Sequence, residues 1–159
     1  MTTTPALGPA DFEQHRAQIL THLRRHDTVL HGVGGVRASA AVIRTIFVDL
    51  FGDARSEQDK HRFFLFMAPI FRRRAIARLT SVNVGQTSRM NVGDLEQWLS
   101  RLEGFDGRCV QMIDLHYFVG LSTRDTAQML GVSTQIVLRD LRFAKAWLQA
   151  RTRWLPTAS

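Results

Sequence analysis

The chain of 159 residues has a single cysteine, Cys109, a single tyrosine, Tyr117, and only four prolines. One thiol cannot close an internal disulfide and cannot supply a cysteine-rich zinc site. Cys109 has apolar neighbours and reads as a small core residue. The longest apolar run, residues 63–71, is interrupted by Pro69. It falls far short of the roughly 20 residues that a bilayer span needs. Residues 1–9 are small and polar, without the charged-then-apolar build of a signal peptide. Together with the lone thiol, this leads us to expect a cytoplasmic protein with no membrane partner. Strand signals are scarce, with little alternation and no Asn-Gly or Asp-Gly hairpin.

Sites for bond chemistry are equally scarce. No Ser/His/Asp set and no paired carboxylates can be assembled, so an enzyme is not expected. Gly32, Gly34 and Gly35 are followed by no Lys-Ser/Thr pair, which excludes a phosphate-binding loop. His22 and His26 have the i, i+4 spacing of metal ligands. No carboxylate or thiol completes them, so neither metal nor cofactor is expected.

What the chain does have is positive charge. Lys and Arg number 21 against 14 Asp and Glu, a net +7, with a pI near 11.1. Such a balance calls for a polyanionic partner, most simply nucleic acid. The charge is unevenly placed. Residues 60–79 hold Lys60, Arg62, Arg72, Arg73, Arg74 and Arg78 and no acid, whereas residues 108–159 hold seven basic and three acidic residues. Residues 80–107 between them carry two basic and four acidic residues. This pattern predicts two basic modules separated by a weakly acidic stretch.

Apolar periodicity predicts an all-α protein. A helix is expected over about 11–26, then a glycine-rich break at 31–37. A second helix over about 38–51 buries Val42, Ile43, Ile46, Phe47, Leu50 and Phe51. Its other face presents Ala41, Arg44, Thr45, Val48 and Asp49. A third helix spans about 60–79, with a bend allowed near Pro69. Residues 80–91 have no helical period and read as a flexible linker. The expected division is therefore a domain at 10–79, a linker at 80–91 and a domain at 92–155.

The densest pattern lies in the last third. After a helix over about 107–118, Ser122 can cap a helix over about 122–130 by accepting a backbone N–H. Small Ala127 permits close packing, Gly131 can take a positive φ at the turn, and Ser133 can cap a final helix over about 133–152. That helix buries Ile136, Val137, Leu141, Ala144 and Leu148. It leaves Thr134, Gln135, Leu138, Arg139, Arg142 and Lys145 outward. This is a helix-turn-helix, in which a second helix enters a major groove.

The same stretch resembles region 4 of bacterial RNA polymerase sigma factors of the extracytoplasmic-function (ECF) class. The matching elements are YFVGLS at 117–122, DTA at 125–127, LGVS at 130–133 and AKAWL at 144–148. Upstream, KHRFFLFMAPIFRRRAIARL resembles the region 2 helix that reads and melts the promoter. SAAVIRTIFVDLF resembles the region 2 helix that docks on polymerase. The resemblance covers about residues 38–155 and implies two small helical domains on a flexible linker. It implies core RNA polymerase, through its β′ clamp and β flap, and promoter DNA as partners.

On that resemblance, region 4 reads the minus-thirty-five element. Arg139 and Arg142 would face guanine edges, with Thr134, Gln135 and Leu138 beside them, and Lys145 and Arg124 would hold phosphates. Region 2 would hold the unpaired minus-ten strand by Lys60, Arg62, Arg72, Arg73, Arg74 and Arg78, with stacking on aromatics where these are not core. Ala41, Arg44, Thr45, Val48 and Asp49 would face the polymerase. The family usually places acids on that face, and Asp49 is the only carboxylate here. A phosphate on Thr45 would add about −1.5 to −2 charges. The resemblance thereby admits activation by a Ser/Thr protein kinase, or control by an anti-sigma factor. Two other readings keep the helix-turn-helix: a stand-alone transcriptional regulator, and a sigma-like adaptor that binds only proteins.

Overall fold

The computed structural model describes residues 4–31, 35–82 and 92–152. The order is α1 (Pro9–Gln14), α2 (Arg16–Arg25), α3 (Asp27–His31), α4 (Gly35–Phe51), α5 (Glu57–Val82), α6 (Val92–Phe105), α7 (Gly107–Ile113), a π-helical turn (Asp114–Phe118), α8 (Thr123–Leu130) and α9 (Thr134–Thr152). The protein is all-α, with no strand among the described residues.

Several boundaries differ from the sequence expectation. The first helix is broken at His15, whose backbone leaves the helical region at φ −98° and ψ 6°, and again at His26. The break turns the chain so that Phe12 and Ile19 both reach the core. Helix α4 begins at Gly35, inside the expected glycine break, and α5 extends three residues earlier and three later than expected. It runs through Pro69 as one element. Of the expected linker, residues 80–82 are helical and residues 83–91 lie outside the described residues.

The N-terminal half is organised by aromatics. Phe12 meets the rings of Phe51, Phe63 and Phe66 at 5.2–5.7 Å between centroids, and Phe47 meets Phe51 and Phe63. Edge-to-face and tilted pairs at these distances add roughly 0.5–1.5 kcal/mol each beyond area burial. Phe63, Phe64 and Phe71 are buried. They belong to the core, so none of these three rings is free to stack on a base. Asp59, also buried, accepts the Leu7 N–H at 3.0 Å and ties the N-terminal segment to α5.

A second core joins α6, α7 and α9 through Leu95, Leu99, Leu102, Val110, Met112, Val137, Leu141, Ala144 and Leu148. The two cores interlock. Leu115, Val119 and Leu121, which follow α7, pack into the N-terminal core, and Ile76 of α5 packs into the C-terminal one. The π-helical turn makes this possible. Val119 N–H bonds back to the Asp114 carbonyl at 2.9 Å, and Leu121 N–H to that of Leu115 at 3.0 Å. The extra residue per turn rotates the apolar face from the C-terminal core toward α5.

Candidate nucleic-acid and polymerase interfaces

The helix-turn-helix is built by local bonds that its residue types dictate. Ser122 Oγ accepts from Asp125 N–H at 3.0 Å, and Ser133 Oγ accepts from Ile136 N–H at 3.2 Å. Each satisfies one of the orphan donors of a helix start. Between them Gly131 sits at φ +67° and ψ 33°, the left-handed conformation that terminates α8. Val132 N–H then closes the turn on the Ala127 carbonyl at 3.1 Å. Buried Ala127 and Val137 hold α8 against α9. The expected geometry of cap, turn and cap is present.

This packing leaves one face of α9 open. Thr134, Gln135, Leu138, Arg139 and Arg142 are exposed and Lys145 is half-buried. At about 100° per residue, Gln135, Leu138, Arg142 and Lys145 fall within one quadrant of the helix, and Arg139 flanks it. Arg139 Nε donates to Asp140 at 3.2 Å, and Arg108 reaches the same carboxylate at 3.0 Å. Arg142 and Arg124 have no ion pair among the described residues. Leu138, 44% exposed, is an apolar member of an otherwise polar face.

The six cations of α5 do not form a comparable face. Spaced as they are, they point around the whole helix. Lys60 pairs with Glu57 and Arg62 with Asp59, each at 3.1 Å, and Arg74 pairs with Asp27. Arg72 is turned inward, 3% exposed, and donates to Asp114 Oδ2 at 2.7 Å. Its Nε lies 3.6 Å from Glu96 Oε2. Arg73 and Arg78 are exposed. Arg72 in this conformation therefore faces protein, because the buried carboxylate of the other half has captured it.

The face of α4 is exposed as its periodicity required, at Ala41, Arg44, Thr45, Val48 and Asp49. Thr45 Oγ1 donates to the Ala41 carbonyl at 3.0 Å. Asp49 lies 3.7 Å from His22. Arg44 sits over the Phe64 ring, 5.4 Å from its centroid. Beside it lies a cleft of about 200 Å³ whose lining includes Phe47, Val48, Glu57 and Lys60. A second cleft of about 130 Å³ adjoins it, lined by Arg44, Lys60 and His61 and, from α8, by Asp125, Gln128 and Met129. The helix-turn-helix thus abuts the edge of the α4 face.

Two titratable groups have shifted affinities for protons. Burial pushes the Asp114 carboxyl up to about 7; Arg72 opposes this, and Glu96 and Glu103 add to it. Burial, with a bond from Sγ to Asp106 at 3.2 Å, pushes the Cys109 thiol up to about 12. That thiol is a core atom and no nucleophile. Among the described residues no three His, Cys, Asp or Glu side chains cluster as metal ligands, and no helix is long and apolar enough to cross a membrane.

Sequence reasoning missed Asp114, Glu96 and the buried role of Arg72. The available signal was a carboxylate set in an otherwise apolar stretch, since acids at buried positions need a partner.

The family model for ECF sigma factors matches residues 15–154. The chain belongs to the ECF sigma factor family. No curated protein and no solved structure matches it. As a sigma factor its role lies in transcription initiation, and core RNA polymerase and promoter DNA are the partners that membership implies. ECF sigma factors are regulatory transcription factors and not enzymes.

Proposed function

We propose that this sigma factor binds core RNA polymerase in the cytoplasm and directs it to promoters through two separable modules. Residues 10–79 form the polymerase-docking and minus-ten module, and residues 92–155 the minus-thirty-five module. The observation that carries this reading is the open basic face of α9 on a doubly capped helix-turn-helix. Arg139 and Arg142 present forked donors to guanine edges, each worth about 1–3 kcal/mol of discrimination. Thr134, Gln135 and Leu138 line the same groove surface. Lys145 and Arg124 hold phosphates, which positions the helix without reading sequence.

The exposed α4 face docks on the β′ clamp, and the helix-turn-helix half meets the β flap. Thr45 is the control point. Its hydroxyl is exposed and spent on a bond to its own helix. A phosphate there supplies the negative charge that the face otherwise draws from Asp49 alone. The partner that follows is a Ser/Thr protein kinase, with an anti-sigma factor as the alternative controller. On α5, Lys60, Arg62, Arg73, Arg74 and Arg78 attract the unpaired minus-ten strand, joined by Arg72 once it is released.

Reconstituted run-off transcription tests the whole reading. Core polymerase with this protein should initiate from a selected promoter, and Thr45→Glu should bind core more tightly than wild type. Equal binding by wild type, Thr45→Glu and the phosphorylated protein removes the switch. Promoter-independent behaviour with DNA binding intact supports the stand-alone regulator, and a flat salt response of DNA binding supports the adaptor.

A further inference from the structure

The contact between the two halves does not fit simultaneous reading of two promoter elements. The names of the elements place them about 25 base pairs apart, roughly 85 Å at 3.4 Å per base pair. In this structure α5 packs on the π-helical turn, α7 leads directly into that turn, and α9 packs on α7. Two packed layers at 8–10 Å per helix pair put the recognition helix roughly 20 Å from α5. The ten peptide steps from Val82 to Val92 reach at most about 36 Å. The halves must therefore part before both elements can be held.

The contact also carries charge at its buried centre. At its centre lie Arg72 and Asp114, 3% and 2% exposed in their side chains. Arg72 Nε, Glu96 Oε2 and Asp114 Oδ1 are buried without a hydrogen-bond partner. A half-satisfied buried polar cluster is weaker than apolar side chains of the same volume. Around it Leu115, Val119 and Leu121, with partly buried Met129 and Leu130, pack into the N-terminal core, and Ile76 with partly buried Ala75 into the C-terminal one. The cluster is a matched anion and cation from opposite halves, on the helix proposed above to hold the minus-ten strand.

We propose that the helix-turn-helix half folds back on α5 as an intramolecular mask, in which the Asp114 carboxylate occupies the Arg72 guanidinium that single-stranded promoter phosphate takes in the open form. This rests on the proposed role of α5 in holding the minus-ten strand. The mask is one-sided. The outward face of α9 stays exposed, so duplex DNA can reach the recognition helix while the single strand is refused. Asp125, Gln128 and Met129 of α8, beside Arg44, crowd the docking helix in the same closed state.

The test uses the full chain. Small-angle scattering should give wild type a radius of gyration near the roughly 15 Å of a compact 159-residue body. Asp114→Arg, which sets two guanidiniums together, should raise it to about 20 Å or more, since two half-size bodies that merely touch already give about 19 Å. The reciprocal pair Arg72→Asp with Asp114→Arg should restore compactness. Binding of a labelled oligothymidylate strand should tighten about 10-fold in Asp114→Arg relative to Asp53→Arg, which makes the same charge change on the exposed loop before α5. Adding Arg72→Ala to Asp114→Arg should abolish that gain.

Compact Asp114→Arg with unchanged strand affinity would mean a permanent core and overturn the mask. Opening without any gain in strand affinity would mean that Asp114 hides no phosphate site, and overturn it equally. Should Asp114→Arg not fold, wild type decides. Added oligothymidylate should speed amide exchange at Val119 and Leu121, and unchanged exchange with the strand bound refutes the proposal. If no form binds any DNA while scattering still reports opening, the α5 reading fails and the mask fails with it, leaving only the closed contact.

Discussion

Acidification should stabilise the closed fold, through one residue. The perturbation is a change of pH from 8 to 5, compared between wild type and Asp114→Asn. Burial holds the Asp114 carboxyl at about 7 against an ordinary value of 3.8. A carboxyl raised in the folded state binds its proton more tightly there than in the unfolded chain, so stability falls as pH rises. The contribution is full below about 3.8 and is lost as pH rises through about 7. Three units at 1.36 kcal/mol each make about 4 kcal/mol over the whole range, of which the step from pH 5 to 8 samples somewhat more than half. For a domain of this size that moves the Tm by several degrees. Asp114→Asn copies the protonated form. Its neutral amide still leaves Arg72 within ion-pair distance of Glu96, at 3.6 Å. The variant should be more stable than wild type at pH 8, by a smaller margin at pH 5, equal to it only below about 3.8, and flatter between. Calorimetry across that range, with the groups outside the cluster common to both proteins, reads the difference directly. A variant less stable than wild type at pH 8 would show that the attraction of Arg72 outweighs desolvation, and the reasoning would fail.

Two further outcomes concern the helix-turn-helix. Gly131→Ala should cost about 1–2 kcal/mol, measured by denaturant unfolding, because a Cβ at φ +67° is strained although nothing crowds it; no loss would mean the turn relaxes to another conformation. Arg139→Ala should relax base preference in a binding-site selection, whereas Lys145→Ala should weaken all sites alike and lower the salt slope by about one. The reverse pattern would reassign the groove-facing side of α9.

The sequence was most legible where structure is local. Ser122, Gly131 and Ser133 announce their turn because cap bonds and positive φ depend on neighbours within four residues. The stripe of α4 was legible for the same reason, down to which residues are exposed. The six cations of α5 were not. Counting them as a block ignores the rotation of about 100° between neighbours. It also hides Glu57 and Asp59, which lie just outside the block and pair at i, i+3. Asp27 and Asp114 are 47 and 42 residues from their arginines, so no local pattern marks them. The kink at His15 has no strong breaker to signal it. Phe12 and Phe51 demand it from a distance.

The aromatic residues also divide the molecule optically. All three tryptophans, Trp98, Trp147 and Trp154, and the one tyrosine lie after residue 92. Trp98 and Trp147 meet edge to face at 5.8 Å, with Arg101 over the first and Arg151 over the second at 3.9 Å. The N-terminal half owns many phenylalanines and no such reporter. Intrinsic emission therefore watches the C-terminal half alone, while helical circular dichroism watches both. If the halves melt as one, the two signals coincide; if they melt in turn, the signals part, and their order names the weaker half without any label.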